Sequence, residues 1–338
     1  MNHPASLHPG AAVDVFVPAS AANLGPGFDS FGLALGVIDS YRMQVRDEPG
    51  LVVDLGVNGQ GVPTDERHLV VASMMRAWRE LGIAAPAGLS LTCRNVVRMG
   101  RGMGSSAAAI VAGVAAAQAL ASPSAQPGSP DGTSVELDLE FVNDLASALE
   151  GHPDNASASV YGAATLSWVD SQSARVDGDT LHRVHSERLD VHPDIEPVVL
   201  VPQIQLSTST ARAVLPEQVP HEIAALNSAR AALLVLALTA RPELLLPATR
   251  EWLHQEQRRV SLGGAMELVD TLRSAGFAAV ISGAGPSVLV LTTCDRAGEV
   301  APLVPESWSV LRPGIPDGGV HVSRATLAMP LKESTTIC

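Results

Sequence analysis

Apolar and polar residues alternate in several short segments of the first third of the chain, with the period of two that a half-buried strand requires. The alternation predicts strands over residues 13–17, 41–45, 51–55 and 89–94. Proline lacks a backbone donor, so we expect Pro18 to end the first strand. The glycine-rich residues 23–35 that follow are expected to be irregular.

Elsewhere apolar residues recur at spacings of three and four, which is the period of a helix. The spacing predicts helices over residues 68–81, 105–120, 135–149, 222–240 and 242–254, and a capped helix start within residues 207–216. Residues 150–155, read as EGHPDN, predict a turn that ends the helix over residues 135–149. Short apolar runs predict a strand over residues 198–201 and two more within residues 276–293, joined by the turn SGAGPS.

The length of the chain predicts more than one domain. At 338 residues it exceeds what one hydrophobic core usually serves, and about 150 residues per domain gives about two. The polar stretch 171–180 is the expected boundary, which separates residues 11–170 from residues 171–330. The proline- and serine-rich residues 122–134 are expected to be a surface insertion that forms no core.

Charge and composition exclude some partners and some chemistries. A formal net charge of −13 argues against nucleic-acid binding, which needs a basic face. Lys332 is the only lysine, so a Walker-type loop and a Schiff-base lysine in the body of the chain are excluded. Cys93, Cys294 and Cys338 share no short spacing of the kind that indicates a metal knuckle or a disulfide framework.

The hydropathy pattern gives no sign of targeting to a membrane. The N-terminus has no basic region followed by an apolar core, and no window of about 18 uninterrupted apolar residues follows. We therefore expect neither export nor membrane insertion, and a reducing cytoplasm as the location.

The segment RMGRGMGSSAAA joins a glycine turn to an alanine-rich helix. Gly100, Gly102 and Gly104 remove side chains that would keep an anion from the backbone, and Ser105 and Ser106 lie where a helix takes its N-cap. Free N–H groups and the positive end of the helix dipole favour phosphate there. The segment therefore predicts a phosphate-binding loop.

Purely structural interpretations of the same residues remain open at this point. The glycines also fit a tight turn before a buried helix, or a dinucleotide fingerprint whose acidic partner is missing about 20 residues further on. SGAGPS fits a hairpin turn, and isolated polar residues in turns are more often caps than catalysts. Isolated arginines on helices are usually solvated. The polar residues concerned are Asn23, Asp29, His152, Asp154, Asn155, Arg212 and Arg258.

Three glycine segments in this order, PASAANLGPGFDSFGLAL, GRGMGSSAA and SGAGPS, resemble those of the GHMP kinase superfamily. Within it, NLGPGFDSFG, EGHPDN, STARAVLP and HQEQR are similar to the motifs of the homoserine kinase family. The resemblance spans most of the chain, and the first and middle motifs differ from those of galactokinase-like and mevalonate-kinase-like members.

The resemblance implies an α+β fold with two domains. Residues 11–170 would form the N-terminal ATP-binding domain, with an unusual left-handed βαβ unit that runs against the strong right-handed preference. Residues 171–330 would form a ferredoxin-like α+β domain, whose SGAGPS turn approaches the phosphate loop. The acceptor site would lie between the two domains.

The resemblance also implies ATP-dependent phosphorylation of the side-chain hydroxyl of L-homoserine, on the route to threonine. ATP and Mg²⁺ are the expected cofactors. L-homoserine is the expected partner, with no nucleic acid or membrane, and a homodimer is common in the family. The alternatives are a GHMP kinase for another small alcohol and a non-catalytic nucleotide sensor.

The family's site residues carry over to matching positions of this sequence. The nucleotide site would comprise Val97, Arg98, Met99, Gly100, Arg101, Gly102, Met103, Gly104, Ser105, Ser106 and Ala107. The acceptor site would comprise Asn23, Asp29, His152, Asn155, Arg212 and Arg258, with Asn155, Asp29 and Arg212 as the catalytic set. Ser106 is the first candidate ligand for the metal, joined by a carboxylate from either Glu150 or Asp144.

The chemistry of these side chains suits a zwitterionic acceptor. Arg212 and Arg258 offer forked donors to a carboxylate, and Asp29 can accept an ammonium group. Asn155 would orient the hydroxyl but cannot take its proton, so no general base is assigned. Direct proton loss to the phosphate is the simpler hypothesis, because phosphoryl transfer depends mainly on alignment and charge neutralisation.

Overall fold

The structure, a computed structural model, describes residues 7–170, 174–176, 179–181, 183–326 and 331. Its strands are β1 Ala12–Ala22, β2 Phe31–Val45, β3 Gly50–Asp54, β4 Gly88–Arg94, β5 Ser134–Val135, β6 Ala164–Val169, β7 Ala174–Val176, β8 Asp179–Leu181, β9 Val184–Leu189, β10 Ile195–Val201, β11 Ala278–Ile281, β12 Val288–Thr293, β13 Ser309–Leu311 and β14 His321–Arg324. Its α-helices are α1 Leu69–Glu80, α2 Ser105–Leu120, α3 Leu139–Glu150, α4 Pro153–Tyr161, α5 Thr208–Ala213, α6 His221–Thr239, α7 Leu245–Ala248, α8 Gln255–Arg258 and α9 Ala265–Ser274.

The larger sheet carries the phosphate-loop half of the molecule. Its strand order is β3-β4-β2-β1-β14-β5, with β6 paired to β2 and β9 paired to β6. Only β3 and β4 pair in parallel within it, and α1 connects them as the helix of a βαβ unit. The left-handed sense of that crossover stays a prediction.

Helix α2 forms the centre of the first core. Nearly all of its residues from Ala107 to Leu120 are buried, against α1, α3, α4 and the larger sheet. A Cβ atom at Gly113 would lie 2.3 Å from the Val70 carbonyl oxygen and 2.8 Å from the Ser73 Cβ. Helix α1 can therefore cross α2 closely only because residue 113 has no side chain.

The smaller sheet has the order β11-β12-β10-β13 and is antiparallel throughout. Val198 and Leu200 of β10 face a core with α9, while Val199 and Val201 face a core with α6. Residues of β1 and β2 also enter the α6 core, among them Leu33. The two sheets share this core, so the α+β class is confirmed.

The chain crosses between the sheets more than once. Strands β9 and β14 lie beyond the expected boundary at residue 170, and both belong to the larger sheet. Within the boundary stretch 171–180, residues 171–173 and 177–178 lie outside the described residues. The division into 11–170 and 171–330 stays a prediction.

Two expectations about the first strands were wrong. Strand β1 continues past Pro18, because the register shifts between Pro18 and Ala19 and a bulge accommodates the missing donor. Strand β2 begins at Phe31, so residues 31–35 of the glycine segment are extended rather than irregular. Nearly all of β2 is buried, which hides the alternation expected of a half-buried strand.

Several helix boundaries also differ from the predictions. The predicted helix 242–254 is wrong: a 3-10 turn, the short α7 and irregular chain replace it, since Pro247 offers no backbone donor. Helix α3 begins only at Leu139, where the Asp138 side chain accepts from the Phe141 N–H. Helix α4, with Pro153 in its first turn, was missed inside and beyond EGHPDN.

The insertion at residues 122–134 does contribute to the core. Ala125 is fully buried in the first core, and the Arg324 N–H donates to the Thr133 carbonyl. The expectation of a surface loop without core residues was therefore wrong.

Helix α6 is the one described helix whose length and composition would allow it to span a membrane, with a mean hydropathy of 1.4. Its Leu234, Ala237 and Leu238 are buried in the core shared by the two sheets. Much of its remaining surface is exposed, including Leu226 and Leu236.

We predict that Gly113→Ala lowers the free energy of unfolding by about 1–3 kcal/mol, because the new methyl group overpacks the α1–α2 crossing. Chemical denaturation of the purified variant measures the loss. Gly298→Ala is the control, since a Cβ there meets open space. Equal stability of the two variants would contradict this account of the crossing.

Candidate active site

A cavity of about 210 Å³ lies where the two sheets meet, bounded by the phosphate loop, the N-termini of α2 and α4, helix α5 and the turn after β11. Its lining includes Asn23, Gly100, Gly102, Gly104, Ser105, Ser106, Glu150, His152, Asp154, Asn155, Arg212, Arg258 and Gly283. Most of the predicted site residues are thus brought together. A larger cavity of about 940 Å³, between α6 and α9, contains none of them.

The phosphate loop leaves the start of α2 uncapped. Gly104 is the N-cap, at φ +67°, and no side chain of the described residues caps the first N–H groups. Ser105 and Ser106 are therefore the first two helical residues, which corrects the expectation that they form the cap. The unbonded donors and the helix dipole face the cavity and favour an anion there.

The SGAGPS turn lies directly on this loop, as expected. The Ser282 hydroxyl donates to the Gly102 carbonyl at 2.5 Å, and the Ser287 N–H donates to the Arg101 carbonyl at 3.3 Å. A Cβ at Gly102 would lie 2.3 Å from the Ser282 carbonyl oxygen. Only glycine permits this approach, and it also supplies the φ of +73° that the loop needs.

The candidate metal ligands separate into two places. The Ser106 hydroxyl donates to Glu150 Oε1 at 2.5 Å, and burial raises the pKa of Glu150. The carboxylate of Asp144 instead accepts from the Val184 N–H at 3.1 Å and does not line the cavity. Of the two carboxylates left open by the sequence, only Glu150 lies beside Ser106.

A bidentate ion pair forms one wall of the acceptor region. Both Arg212 terminal nitrogens donate to Asp29, at 2.5 and 3.1 Å. The backbone places Asp29 at φ +56°, and its N–H donates to Asn23 Oδ1 at 3.0 Å. The amide nitrogen of Asn23 donates to the Gly283 carbonyl at 3.0 Å, which ties this wall to the smaller sheet.

His152 belongs to an acidic group. Its Nδ1 lies 2.8 Å from Asp154 Oδ1, and ligand atoms of Asp29, His152 and Asp154 lie within 4.8 Å of one another. Burial by itself would lower the pKa of His152, but the hydrogen bond to Asp154 and the charges of Asp154 and Glu150 raise it. The carboxylates of Asp29, Glu150 and Asp154 thus lie close together in this corner of the cavity, where Arg212 pairs with Asp29.

Arg258 is buried without a counter-charge of its own. It is 1% exposed, and its guanidinium donates to neutral acceptors: the Ala211 carbonyl at 2.9 Å, His254 Nδ1 at 3.2 Å and the Gly283 carbonyl at 3.4 Å. Among the described residues no carboxylate forms an ion pair with it. Burial and the charge of Arg212 lower the pKa of Arg258.

His254 orients this guanidinium. Its Nε2 donates to the Gly25 carbonyl at 2.9 Å, so its Nδ1 carries the lone pair that accepts from Arg258. Burial lowers the pKa of His254, which keeps the ring neutral. The rings of His254 and Phe28 stack at 5.1 Å, and both Arg212 and Arg258 lie 5.4 Å from the centroid of Phe28.

Sequence reasoning selected neither Asp154, His254, Phe28 nor Ser20 for this site. The sequence offered one indication of their involvement: each of these residues lies within or beside one of the family-like motifs. Their roles depend on contacts between distant segments, which one sequence does not display.

Known proteins are similar to this chain along most of its length. The family described as GHMP kinases N terminal domain matches residues 68–163, and GHMP kinases C terminal matches residues 232–309. The homoserine kinase of Streptomyces coelicolor is 46% identical over 313 residues, which are 92% of this chain and 94% of that protein. The homoserine kinase of Rhodococcus erythropolis is 46% identical, over 94% of this chain and 98% of that protein.

A solved structure shows the same fold. The crystal structure of homoserine kinase from Cytophaga hutchinsonii superimposes with a TM-score of 0.71 at 23% identity, covering 93% of this chain and 95% of that one. With the motifs, the cavity and the identities over most of the chain, we conclude that this chain belongs to the homoserine kinase family of the GHMP kinases.

Proposed function

We propose that this chain transfers the γ-phosphoryl group of ATP to the side-chain hydroxyl of L-homoserine, which gives O-phospho-L-homoserine for threonine biosynthesis. Family membership supports the phosphoryl transfer. The buried, unpaired guanidinium of Arg258 is the observation that supports an amino-acid acceptor.

Arg258 explains why the acceptor should carry a carboxylate. A buried charge without a partner costs several kcal/mol of desolvation in effective terms, and a planar carboxylate offsets that cost with two parallel hydrogen bonds. The guanidinium of Arg212 lies beside the same Phe28 ring and offers a second pair of N–H donors. A sugar or another uncharged alcohol would leave the Arg258 guanidinium without an anion, while Arg212 stayed paired with Asp29.

The acidic corner explains why the acceptor should also carry an ammonium group. Asp29 and Asp154, with His152 beside them, present closely spaced oxygens of the kind that accept a cation. In the free protein the Asp29 carboxylate forms an ion pair with Arg212. A zwitterion would exchange this internal ion pair for two external ones, with its ammonium on Asp29 and its carboxylate on the arginines.

The nucleotide end of the cavity fits a triphosphate. The backbone N–H groups of residues 100–106 would bind its oxygens, since Gly100, Gly102, Gly104, Ser105 and Ser106 line the cavity. The other residues proposed for the nucleotide site do not line it: Val97, Arg98, Met99, Arg101, Met103 and Ala107. The loop needs no lysine, because backbone donors and the helix dipole supply the positive potential.

The donors at this end also fit Mg²⁺. The Ser106 hydroxyl and the Glu150 carboxylate are hard oxygen ligands in mutual contact, and we propose that they hold the ion in preference to Asp144. When bound, the ion would neutralise negative charge on the phosphates. Ser106 and Glu150 would be the residues that hold it beside the phosphate loop.

The chain's own residues align the reactants without a general base. Asp29 is engaged by the ammonium and Asn155 cannot accept a proton at neutral pH, so we propose that the hydroxyl proton passes to the transferred phosphoryl group. We further propose a cytoplasmic enzyme that forms a homodimer. Its net charge of −13 disfavours nucleic acid as a partner.

We predict that wild-type protein releases ADP fastest with L-homoserine among L-homoserine, L-serine, L-threonine, mevalonate and galactose. The arginines and the acidic corner together match only the zwitterions of this panel. A coupled assay of ADP release at saturating MgATP measures kcat/KM for each acceptor. Activity only with mevalonate or galactose would contradict the proposal, and nucleotide binding without ADP release on any acceptor would indicate a sensor.

We predict that Asp29→Asn raises KM for L-homoserine by about 10- to 100-fold, because the ammonium loses a charged hydrogen bond, and leaves kcat within about threefold. Steady-state kinetics separate the two constants. Asp65→Asn is the control, since Asp65 forms an exposed ion pair with Arg67 away from the cavity. A large fall in kcat with KM unchanged would instead support Asp29 as the base.

A further inference from the structure

A buried hydrogen bond joins Ser20 of β1 to Asn155 of α4. Ser20 is 0% exposed, and its hydroxyl lies 3.0 Å from Asn155 Oδ1 and 3.2 Å from the Asn155 carbonyl oxygen. Both of these oxygens can only accept, so they share the single proton of the Ser20 hydroxyl, with Oδ1 the nearer. The oxygen end of the Asn155 amide is thereby held against the strand.

The surroundings of Ser20 hold its hydroxyl in place. The Ser159 hydroxyl donates to the Pro18 carbonyl at 3.0 Å and lies 3.3 Å from the Ser20 hydroxyl. A Cβ at Gly104 would lie 2.2 Å from Ser20 Oγ and 3.0 Å from Asn155 Oδ1. The phosphate loop therefore closes over this contact, and its glycine makes room for the serine hydroxyl.

The nitrogen end of the Asn155 amide faces the other way. A Cβ at Gly283, on the cavity wall, would lie 3.9 Å from Asn155 Nδ2. Within the described part of the chain, no acceptor forms a hydrogen bond with this nitrogen, although Asn155 is only 9% exposed. An amide donor thus points into the cavity without a partner from the protein.

We propose that Ser20 is a positioning residue that fixes the Asn155 side chain so that Nδ2 donates to the hydroxyl oxygen of the acceptor. The proposal rests on the phosphoryl transfer proposed above. An asparagine oxygen in that place would hold the hydroxyl proton, whereas an N–H donor binds a lone pair and leaves the proton free. The hydroxyl oxygen then bonds to the γ-phosphorus, the bond from that phosphorus to the ADP oxygen breaks, and the proton passes to the transferred phosphoryl group.

Ser20→Ala tests the positioning role against a matched control. Ser157→Ala removes an equally buried hydroxyl from α4, where it forms hydrogen bonds with Asn143, Ser167 and Ser186. We expect Ser20→Ala to lower kcat by about 10-fold with KM for the acceptor within about twofold, the loss that one misplaced hydrogen bond produces. Ser157→Ala should leave kcat near the wild-type value.

Asn155→Asp tests the donor role and does not depend on the Ser20 variant folding. It keeps the shape and an oxygen for Ser20 but puts an acceptor in place of the N–H donor. We expect kcat to fall by about 100-fold or more, the typical loss of one donor to a reacting oxygen. In the double variant, Ser20→Ala should produce no further loss, because Ser20 acts only through the Asn155 donor.

Three results would overturn the proposal: equal kcat for Ser20→Ala and Ser157→Ala, wild-type kcat in Asn155→Asp, or independent losses that multiply in the double variant. All kinetics use the acceptor of the panel that wild-type protein phosphorylates best. A preference for an acceptor other than L-homoserine would therefore refute the proposed substrate while leaving the Ser20 test intact.

Discussion

A buried guanidinium group that forms no ion pair with any carboxylate of the described residues is the constraint on which the proposed acceptor site depends. Arg258 is 1% exposed and is held by two carbonyl oxygens and a neutral histidine. These acceptors bind Nε and Nη1, whereas Nη2 has no hydrogen bond among the described residues, and none of them neutralises the charge. The free protein therefore bears a desolvation cost that an anionic ligand would offset. A ligand with a carboxylate would for this reason bind more tightly than one without.

The position of that charge depends on contacts between the two sheets. Gly283 accepts from both Asn23 and Arg258, and the neighbouring Ser282 hydroxyl bonds the phosphate loop. Arg258 and His254 belong to the half of the chain that carries the smaller sheet, yet His254 donates to Gly25 beside the larger one. Phosphate loop, acidic corner and arginines are thus fixed relative to one another by hydrogen bonds across the shared core.

Much of the fold could be predicted because its signals are local. The glycine turn before α2, the β11–β12 hairpin and the capped start of α5 all follow from residue types at short spacing. The full length of β2 was missed because burial on both faces removes the alternation of a half-buried strand. The predicted helix over 242–254 failed because apolar spacing was weighed above Pro247.

The residues of the candidate site also fall into those that the sequence predicts and those that only the structure reveals. Resemblance to a family supplied the residues proposed to bind ligands. Ser20, Asp154 and His254 contact those side chains instead, and these contacts became visible only in the structure, where distant segments meet. The choice of Glu150 over Asp144 likewise needed coordinates, because both carboxylates lie on α3 and only the last turn reaches Ser106.

The most direct test measures kcat/KM for L-homoserine and for 3-amino-1-propanol, which lacks the carboxylate. Both acceptors are compared in wild-type protein and in Arg258→Met. If Arg258 binds the carboxylate, the substitution lowers kcat/KM for L-homoserine by about 30-fold or more and changes kcat/KM for the amino alcohol by less than about threefold. Arg259→Met, an adjacent arginine paired with Glu256 and Asp270, is the control and should alter neither. An equal loss of kcat/KM for both acceptors in Arg258→Met would show that Arg258 does not bind the carboxylate, and would contradict the account.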